Sequence, residues 1–201
     1  MRPMIPRPRV LLLAAGGSRR FGGPKLLARY GGESLLRRAA RVALGCRSAG
    51  CTVVLGASAI RLERELKGLA VDIVVNRAWR TGLSSSLRAG IAAMPTSVPG
   101  ALVLLADQVS VGPADLELLM TAWQRDPRTI VAARAGAVLG PPVILPRSAF
   151  PAVRRLRGDT GAKVLLSDPG RTVVEIGITS AGFDIDTPAD LARWRTDSVI
   201  S

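Results

Sequence analysis

LLLAAGGSRRFGGPKLL, residues Leu11 to Leu27, runs from an apolar stretch directly into a glycine-rich turn that ends in Pro24 and Lys25. The apolar part suits a strand buried on both faces, because successive side chains point to opposite sides of a sheet and here every one avoids water. Gly16, Gly17, Gly22 and Gly23 let the backbone turn sharply and approach a ligand closely, so that successive amides form an anion-binding nest. Arg20 and Lys25 supply positive charge to phosphates at that nest. The turn lacks the Gly-Lys-Ser/Thr ending of a P-loop. It also lacks G-x-G-x-x-G with a ribose-binding acid downstream, so neither loop explains it.

Outward from this stretch, apolar runs recur at Arg9–Ala15, Cys51–Gly56, Val71–Val75, Ala101–Ala106 and Thr129–Ala133. Helical patterns fill the gaps at Ser34–Gly45, Ser58–Lys67, Leu83–Met94 and Pro113–Arg125, the first with Leu35, Leu36, Ala39, Ala40 and Ala43 as one apolar stripe. Continuous hydrophobicity in the strands and amphipathic helices between them predict an α/β fold: one Rossmann-like domain over residues 9–201 with a mostly parallel sheet flanked by helices. Residues 1–8 read as a basic, proline-containing tail. Beyond Gly136, prolines and glycines break the rhythm. A strand at Val143–Leu145, helices around Ser148–Leu156 and Thr160–Leu166, and a strand near Thr172–Ile176 are expected there as a substrate-facing subregion.

The net charge of +13 comes almost wholly from arginine, with lysine only at positions 25, 67 and 163. Arg37, Arg38, Arg41, Arg61 and Arg64 are scattered as solvated helix faces, which argues against a nucleic-acid stripe and for a general attraction to small anions. The chain has no histidine, and Cys46 and Cys51 match no metal-ligand spacing, so a zinc or haem site is excluded and buried free thiols are expected. The apolar run Val10–Ala15 is too short for a signal-peptide core or a membrane span, which predicts a cytoplasmic protein without membrane attachment.

Two acidic elements stand out. Ala101–Ala106 delivers Asp107 and Gln108 at a strand's C-terminal end, where open α/β sheets place their ligands. Magnesium suits such a place, because it takes one or two carboxylates and fills its remaining positions with water and phosphate oxygens. FDIDTPADL, residues Phe183 to Leu191, offers Asp184 and Asp186 on one side of an extended segment, with Asp186 preferred as the second metal contact. Thr187 and Pro188 also read as an N-cap and first-turn pair.

Several motifs resemble the MobA-like nucleotidyltransferase superfamily. Leu13, Ala14, Ala15, Gly16, Ser18, Arg20, Gly22 and Lys25 match L-A-A-G-x-S-x-R-M-G-x-x-K, with Phe21 in place of Met; Pro24, Leu26 and Leu27 resemble the molybdenum cofactor cytidylyltransferase branch. Leu104 to Gln108 resemble L-L-A-D-Q-P, with Val109 replacing Pro, and Asp184 to Leu191 resemble D-I-D-T-P-E-D-L. NRAWRTGLSSSLRAG, Asn76 to Gly90, resembles N-P-x-W-x-x-G-x-S-S-S-L-R-A-G. Gly140 with Pro142 resembles a G-x-P element, Pro141 standing where His is common, and Gly158, Asp159, Gly161 and Ala162 resemble G-D-x-G-A.

The resemblance implies a nucleotide-diphospho-sugar transferase type of fold and Mg²⁺-dependent transfer of CMP from CTP to the terminal phosphate of a molybdopterin-type cofactor. On the matched positions it implies catalytic roles for Arg20, Lys25 and Asp107, and metal binding by Asp107 and Asp186. Nucleotide binding falls to Leu13, Ala14, Ala15, Gly16, Gly17, Ser18, Arg20, Gly22, Lys25, Asn76, Ser84, Ser85 and Ser86. Acceptor binding falls to Gly140, Pro142, Gly158, Asp159, Gly161 and Asp184. A molybdoenzyme or its chaperone is the implied recipient. Ala15, in a branch-typical L-A-A-G where guanylyltransferases have L-A-G-G, implies CTP over GTP. The alternatives are a GTP-using or sugar-phosphate nucleotidyltransferase of the same superfamily and a non-catalytic carrier.

Overall fold

Five parallel-type strands and the helices between them follow from the sequence pattern, and the computed structural model orders them into one sheet. It describes residues 6–200, with side chains through residue 196, so most of the basic segment 1–8 lies outside the described residues. In chain order the elements are β1 (Arg9–Ala14), β2 (Arg29–Tyr30), β3 (Glu33–Ser34), α1 (Leu35–Leu44), β4 (Cys51–Leu55), α2 (Ala59–Glu65), β5 (Val71–Val75) and α3 (Leu83–Ala93). There follow β6 (Gly100–Leu105), α4 (Pro113–Arg125), β7 (Ile130–Ala135), β8 (Val138–Pro146), α5 (Phe150–Arg155), α6 (Lys163–Leu166), β9 (Val173–Gly177) and α7 (Pro188–Ile200).

The main sheet has seven strands in the order β5-β4-β1-β6-β8-β7-β9, and β2 and β3 form a small hairpin apart from it. β1 lies parallel between β4 and β6, with Leu12 opposite Val53 on one side and Leu104 on the other. β8 runs antiparallel to both β6 and β7, while β9 is parallel to β7. The sheet is thus mostly parallel, as the apolar runs predict.

Alternation along β1 divides the core in two. Val10, Leu12 and Ala14 face Leu35, Leu36 and Ala40 of α1, Leu116 and Leu119 of α4, and Trp194 of α7. Leu11 and Leu13 face Leu87 and Ile91 of α3 and Val153 of α5. The helix starts of α1 and α4 carry side-chain caps. The Ser34 hydroxyl accepts the Arg37 amide at 3.2 Å, and Pro113 opens α4 behind a Gly112 amide that donates to Asp115 Oδ2 at 2.9 Å.

Four expectations change. Val71–Val75 is not buried on both faces: β5 is the sheet's edge, and Asp72 and Val75 face outward there. The short strand expected at Val143–Leu145 is nine residues long, because Pro141 and Pro142 occupy an irregularity where Ala132 pairs with Val143 but Ala133 with Gly140. Prolines cannot donate to a ladder, so a bulge is where a strand tolerates them. The helix at Thr160–Leu166 contracts to Lys163–Leu166, and that around Ser148–Leu156 to Phe150–Arg155 behind a 3₁₀ turn at Arg147–Ala149. Among the described residues no helix is long and apolar enough to cross a membrane.

Candidate active site

From β1 the chain moves outward to β4 and β5, then returns through α3 to β6 on the other side of β1. Adjacent parallel strands whose connections leave in opposite directions open a crevice at their C-terminal ends. The glycine loop follows β1 there, and Asp107 follows β6. Ser18 adopts a left-handed conformation at φ 51°, Arg19–Phe21 form a 3₁₀ turn, and Gly22 at φ 75° turns the chain toward Lys25.

Two adjoining lobes result. One, of about 230 Å³, is bounded by Gly16, Ser18, Arg20, Lys25, Asp107 and Asp186. The other, of about 410 Å³, is bounded by Ala15, Gly17, Trp79, Leu83, Ser86 and Asp159. Leu13, Gly16, Arg19 and Asp107 line both, so the strand-end acid stands at the junction. Trp79 stands between the core and the second lobe. It packs partly against the α3 core cluster, lies against Gly17, and walls the second lobe with the Arg80 guanidinium 4.6 Å from its ring.

Charge is concentrated at the first lobe. Lys25 Nζ donates to Asp107 Oδ2 and to the Ile185 carbonyl, each at 2.6 Å, and lies 3.3 Å from Asp186 Oδ1. Arg20 Nη2 lies 2.9 Å from Asp186 Oδ2. Lys25, expected on a triphosphate, is therefore engaged by the acids, while Arg20 remains largely in solvent. The Ile185 amide donates to the Asp107 carbonyl at 3.1 Å, which straps the C-terminal segment to the end of β6 and brings Asp186 to the lobe, whereas Asp184 lines neither lobe. Asp184 is open to solvent on one side and crowded by protein on the other. Its carboxyl is pushed up to about 6, first by that desolvation and then by the negative charges of Asp107 and Asp186, with Lys25 opposing.

This donor set fits a magnesium-type ion. Two carboxylates already converge on one cationic centre, the donors are all hard oxygens, and the lobe is open beside them. Among the described residues no group of three or more His, Cys, Asp or Glu side chains is placed to hold a metal. An ion held here needs phosphate oxygens and water to complete its shell, as Mg²⁺ prefers.

Thr187 and Asp190 form the helix cap that the sequence offers. Asp190 Oδ2 accepts the Thr187 amide at 2.8 Å and the Asp186 amide at 3.2 Å, and the Thr187 hydroxyl accepts the Asp190 amide in return at 3.2 Å. The Thr187 hydroxyl, which donates to Asp190 Oδ2 at 2.8 Å, and then the two amides hold the Asp190 carboxyl down at about 2. The reciprocal cap fixes the backbone of Asp186. Thr187→Ala is expected to cost about 1 kcal/mol of stability and to weaken nucleotide binding through a looser Asp186; denaturant unfolding and a nucleotide titration check both effects.

Other expected site residues divide. The serines do not cap α3, which starts after Gly82 with no side-chain cap. Instead the buried Asn76 donates from Nδ2 to Ser85 Oγ at 2.8 Å and Ser86 Oγ at 3.0 Å, which ties the end of β5 to the helix. Ser86 alone of the three lines a lobe; Ser84 and Ser85 are buried behind it. Gly140 and Pro142 are buried in the β8 irregularity and line neither lobe. Asp159 reaches the second lobe, whereas Gly161 packs on Leu83 and Gly158 on Gly82. Among residues given no site role from sequence, Arg19 borders both lobes. Gln108 donates from Nε2 to the Pro141 and Ala181 carbonyls at 2.8 and 3.1 Å, clamping three segments behind Asp107. The doubled arginine and the amide beside the acid were the available signals.

The profile of the MobA-like NTP transferase domain matches residues 10–173. Among curated proteins, nicotine blue oxidoreductase of Paenarthrobacter nicotinovorans is 33% identical over 196 residues, which is 91% of this chain and 94% of that protein. Among solved structures, Rv0371c from Mycobacterium tuberculosis H37Rv superposes with a TM-score of 0.84 at 26% identity, covering 96% of this chain and 100% of that one. The complex of Rv0371c with manganese gives 0.80 at 25% identity, over 94% and 98% of the two chains. Since the family profile covers most of the sequence and a curated relative is one-third identical along nearly all of it, the chain belongs to the MobA-like NTP transferase family and is a nucleotidyltransferase by that membership.

Proposed function

We propose that this protein transfers CMP from CTP to the terminal phosphate of a molybdopterin-type cofactor and releases pyrophosphate. The observation that carries the reading is the meeting of Asp107, Asp186, Lys25 and Arg20 at one lobe beside the glycine loop. In the transfer, an acceptor phosphate oxygen bonds to the α-phosphorus as the bond to the bridging oxygen breaks, and the pyrophosphate departs with that electron pair. The acceptor oxygen is already anionic, so no covalent nucleophile or general base is required.

The chain's task is positioning and charge compensation. Loop amides around Gly16 and Ser18 and the Arg20 guanidinium hold the triphosphate, and Lys25 compensates charge on its oxygens once phosphate draws it from the acids. Asp107 and Asp186 would hold Mg²⁺, which supplies charge neutralisation at the α-phosphate and the leaving group. In the second lobe the base lies against Ala15 and Ser86, with Trp79 as a wall. The acceptor approaches from the Asp159 and Asp184 side, and a molybdoenzyme or its chaperone takes the product.

Nucleotide choice follows from the second lobe. Gly56 is the reason Ala15 and Trp79 sit so close: a Cβ there would lie 2.8 Å from Ala15 Cβ and 2.7 Å from Trp79 Cβ. Ala15 thus sets the wall position, and a purine meets it before a pyrimidine does. CTP is expected to exceed GTP in kcat/KM by roughly tenfold or more, and Ala15→Gly to narrow the gap without reversing it. Equal efficiencies in side-by-side kinetics would refute the cytidylyl assignment and leave nucleotidyl transfer standing.

A second reading comes from the relative named as an oxidoreductase, whose identity to this chain extends over nearly its full length. Paired carboxylates bound to a lysine serve a metal triphosphate better than they serve electron transfer, which favours the first reading. A screen of nucleotides against acceptors for Mg²⁺-dependent pyrophosphate release tests it. Release with CTP and the molybdopterin acceptor supports the proposal; absence of release with every pair, together with redox turnover of nicotine blue, supports the second reading.

A further inference from the structure

Behind the second lobe lies a groove of about 500 Å³ lined by Thr81, Arg88, Arg154, Arg157 and Gly158. Arg88 comes from α3, Arg154 from α5 and Arg157 from the turn that follows it. Arg88 Nη1 donates to the Leu156 carbonyl at 2.7 Å, and Arg157 Nη1 donates to the same oxygen at 3.0 Å. One carbonyl therefore anchors two guanidiniums side by side, and only one nitrogen of each is used in doing so. Arg154 and Arg157 are exposed.

Like charges held together this way raise each other's energy unless an anion shares them. Elsewhere Arg9, Arg29, Arg41, Arg134, Arg171 and Arg193 each find one in an Asp or Glu, whereas Arg37 and Arg147 bond to backbone carbonyls. Among the described residues, none of Arg88, Arg154 and Arg157 is bonded to a carboxylate. Asp159, the nearest acid in sequence, belongs to the lobe on the other side of the wall. That wall is thin. Thr81 and Gly158 face the groove, their neighbours Gly82 and Asp159 face the lobe, and the Ser84 amide donates to the Gly158 carbonyl at 3.1 Å across the contact.

We propose that this groove is a second oxyanion site, separate from the nucleotide lobes, which takes a phosphate-class anion between the guanidiniums of Arg88, Arg154 and Arg157. Forked N–H donors from three segments match a tetrahedral group with several charged oxygens. The groove is roomy enough for a phosphate carried on a larger molecule, so the anion is either a distal group of the acceptor or free inorganic phosphate. The two sources share one chemistry at the protein.

Titration calorimetry of the full chain with inorganic phosphate at low salt tests the site without turnover, so its outcome is independent of the CMP-transfer reading. Two binding events are expected, one removed by Arg20→Gln and the other weakened roughly tenfold by Arg154→Gln. Arg154 is the primary target because its side chain makes no hydrogen bond among the described residues, so the variant keeps the fold; Arg154→Lys should restore part of the affinity. A raised acceptor KM with unchanged nucleotide KM in Arg154→Gln assigns the anion to the acceptor, and unchanged values for both assign it to free phosphate. A single phosphate site that Arg154→Gln leaves untouched overturns the proposal. So does binding of poly-glutamate that needs Arg154 while phosphate binding does not, which would make the groove a dock for an acidic polypeptide.

Discussion

Asp107→Ala is expected to lower kcat/KM for nucleotidyl transfer by roughly 10²- to 10³-fold, the range seen when one preorganised charge-stabilising group is removed. Stability should change far less. The hydrogen bond from the Ile185 amide goes to the backbone carbonyl of residue 107 and survives the substitution, and Lys25 keeps the Ile185 carbonyl and Asp186 as partners. The lost ion pair is mostly shielded from water, with side-chain exposures of 12% for Lys25 and 24% for Asp107, but those two remaining partners leave no buried charge uncompensated. Thermal unfolding within a few degrees of the parent, alongside the kinetic loss, is the expected combination. Asp107→Asn keeps the packing and should lose as much activity, which identifies charge as the operative property. Near-normal Mg²⁺-dependent pyrophosphate release from either variant would remove Asp107 from the site.

Gly82→Ala is expected to act in the opposite proportion, on the fold first. Gly82 has φ +106°, and a Cβ there would lie 2.2 Å from the Gly158 carbonyl carbon, 2.3 Å from its oxygen and 2.6 Å from the Asp159 nitrogen. All three atoms are backbone and cannot swing aside. Conformational strain and overpacking together should cost roughly 3–5 kcal/mol, which lowers Tm by on the order of 10 °C in a chain of this size. Asp159 moves with the displaced strand of chain, so acceptor affinity should fall too. Gly16→Ala is the contrast: nothing lies within 4 Å of its Cβ position, so its Tm should hold while nucleotide binding weakens, because that methyl enters both lobes. A Gly82→Ala protein with parental Tm would show that the 82–158 contact is not rigid.

Parts of this architecture were legible from residues alone because a single force shaped them. β1, β4 and β6 are buried on both faces, and unbroken apolar runs report that directly. β5 misled because Asp72 faces outward at an edge, where one polar side chain costs nothing. β8 hid behind Gly140, Pro141 and Pro142, residues that read as a strand's end unless a bulge absorbs them. At the site, Asp107 and Asp186 were legible as acids, the first at a strand end and the second on an extended segment, and the structure brings both to Lys25. The use of Ser85 and Ser86 was not legible, since a serine run at a helix start looks the same whether its hydroxyls meet solvent, ligand or a buried Asn76. Nor did spacing reveal that Gly140 and Pro142 sit inside the sheet, because that depends on a pairing made across two other strands.

Ile185 joins Asp107 by its amide and Lys25 by its carbonyl, and this has a consequence for when the protein becomes competent. The lobe draws on the first strand, a strand end halfway along the chain and a segment near the C-terminus. During synthesis the earlier strands emerge first and begin to pair while residue 185 is still to be added. Until it docks, Lys25 and Asp107 lack the peptide group that holds them in register, and Asp186 has not arrived. Competence on the ribosome is therefore gated by translation of the segment through Asp186, so a nascent copy stalled before that point would hold much of the sheet and none of the finished charge cluster.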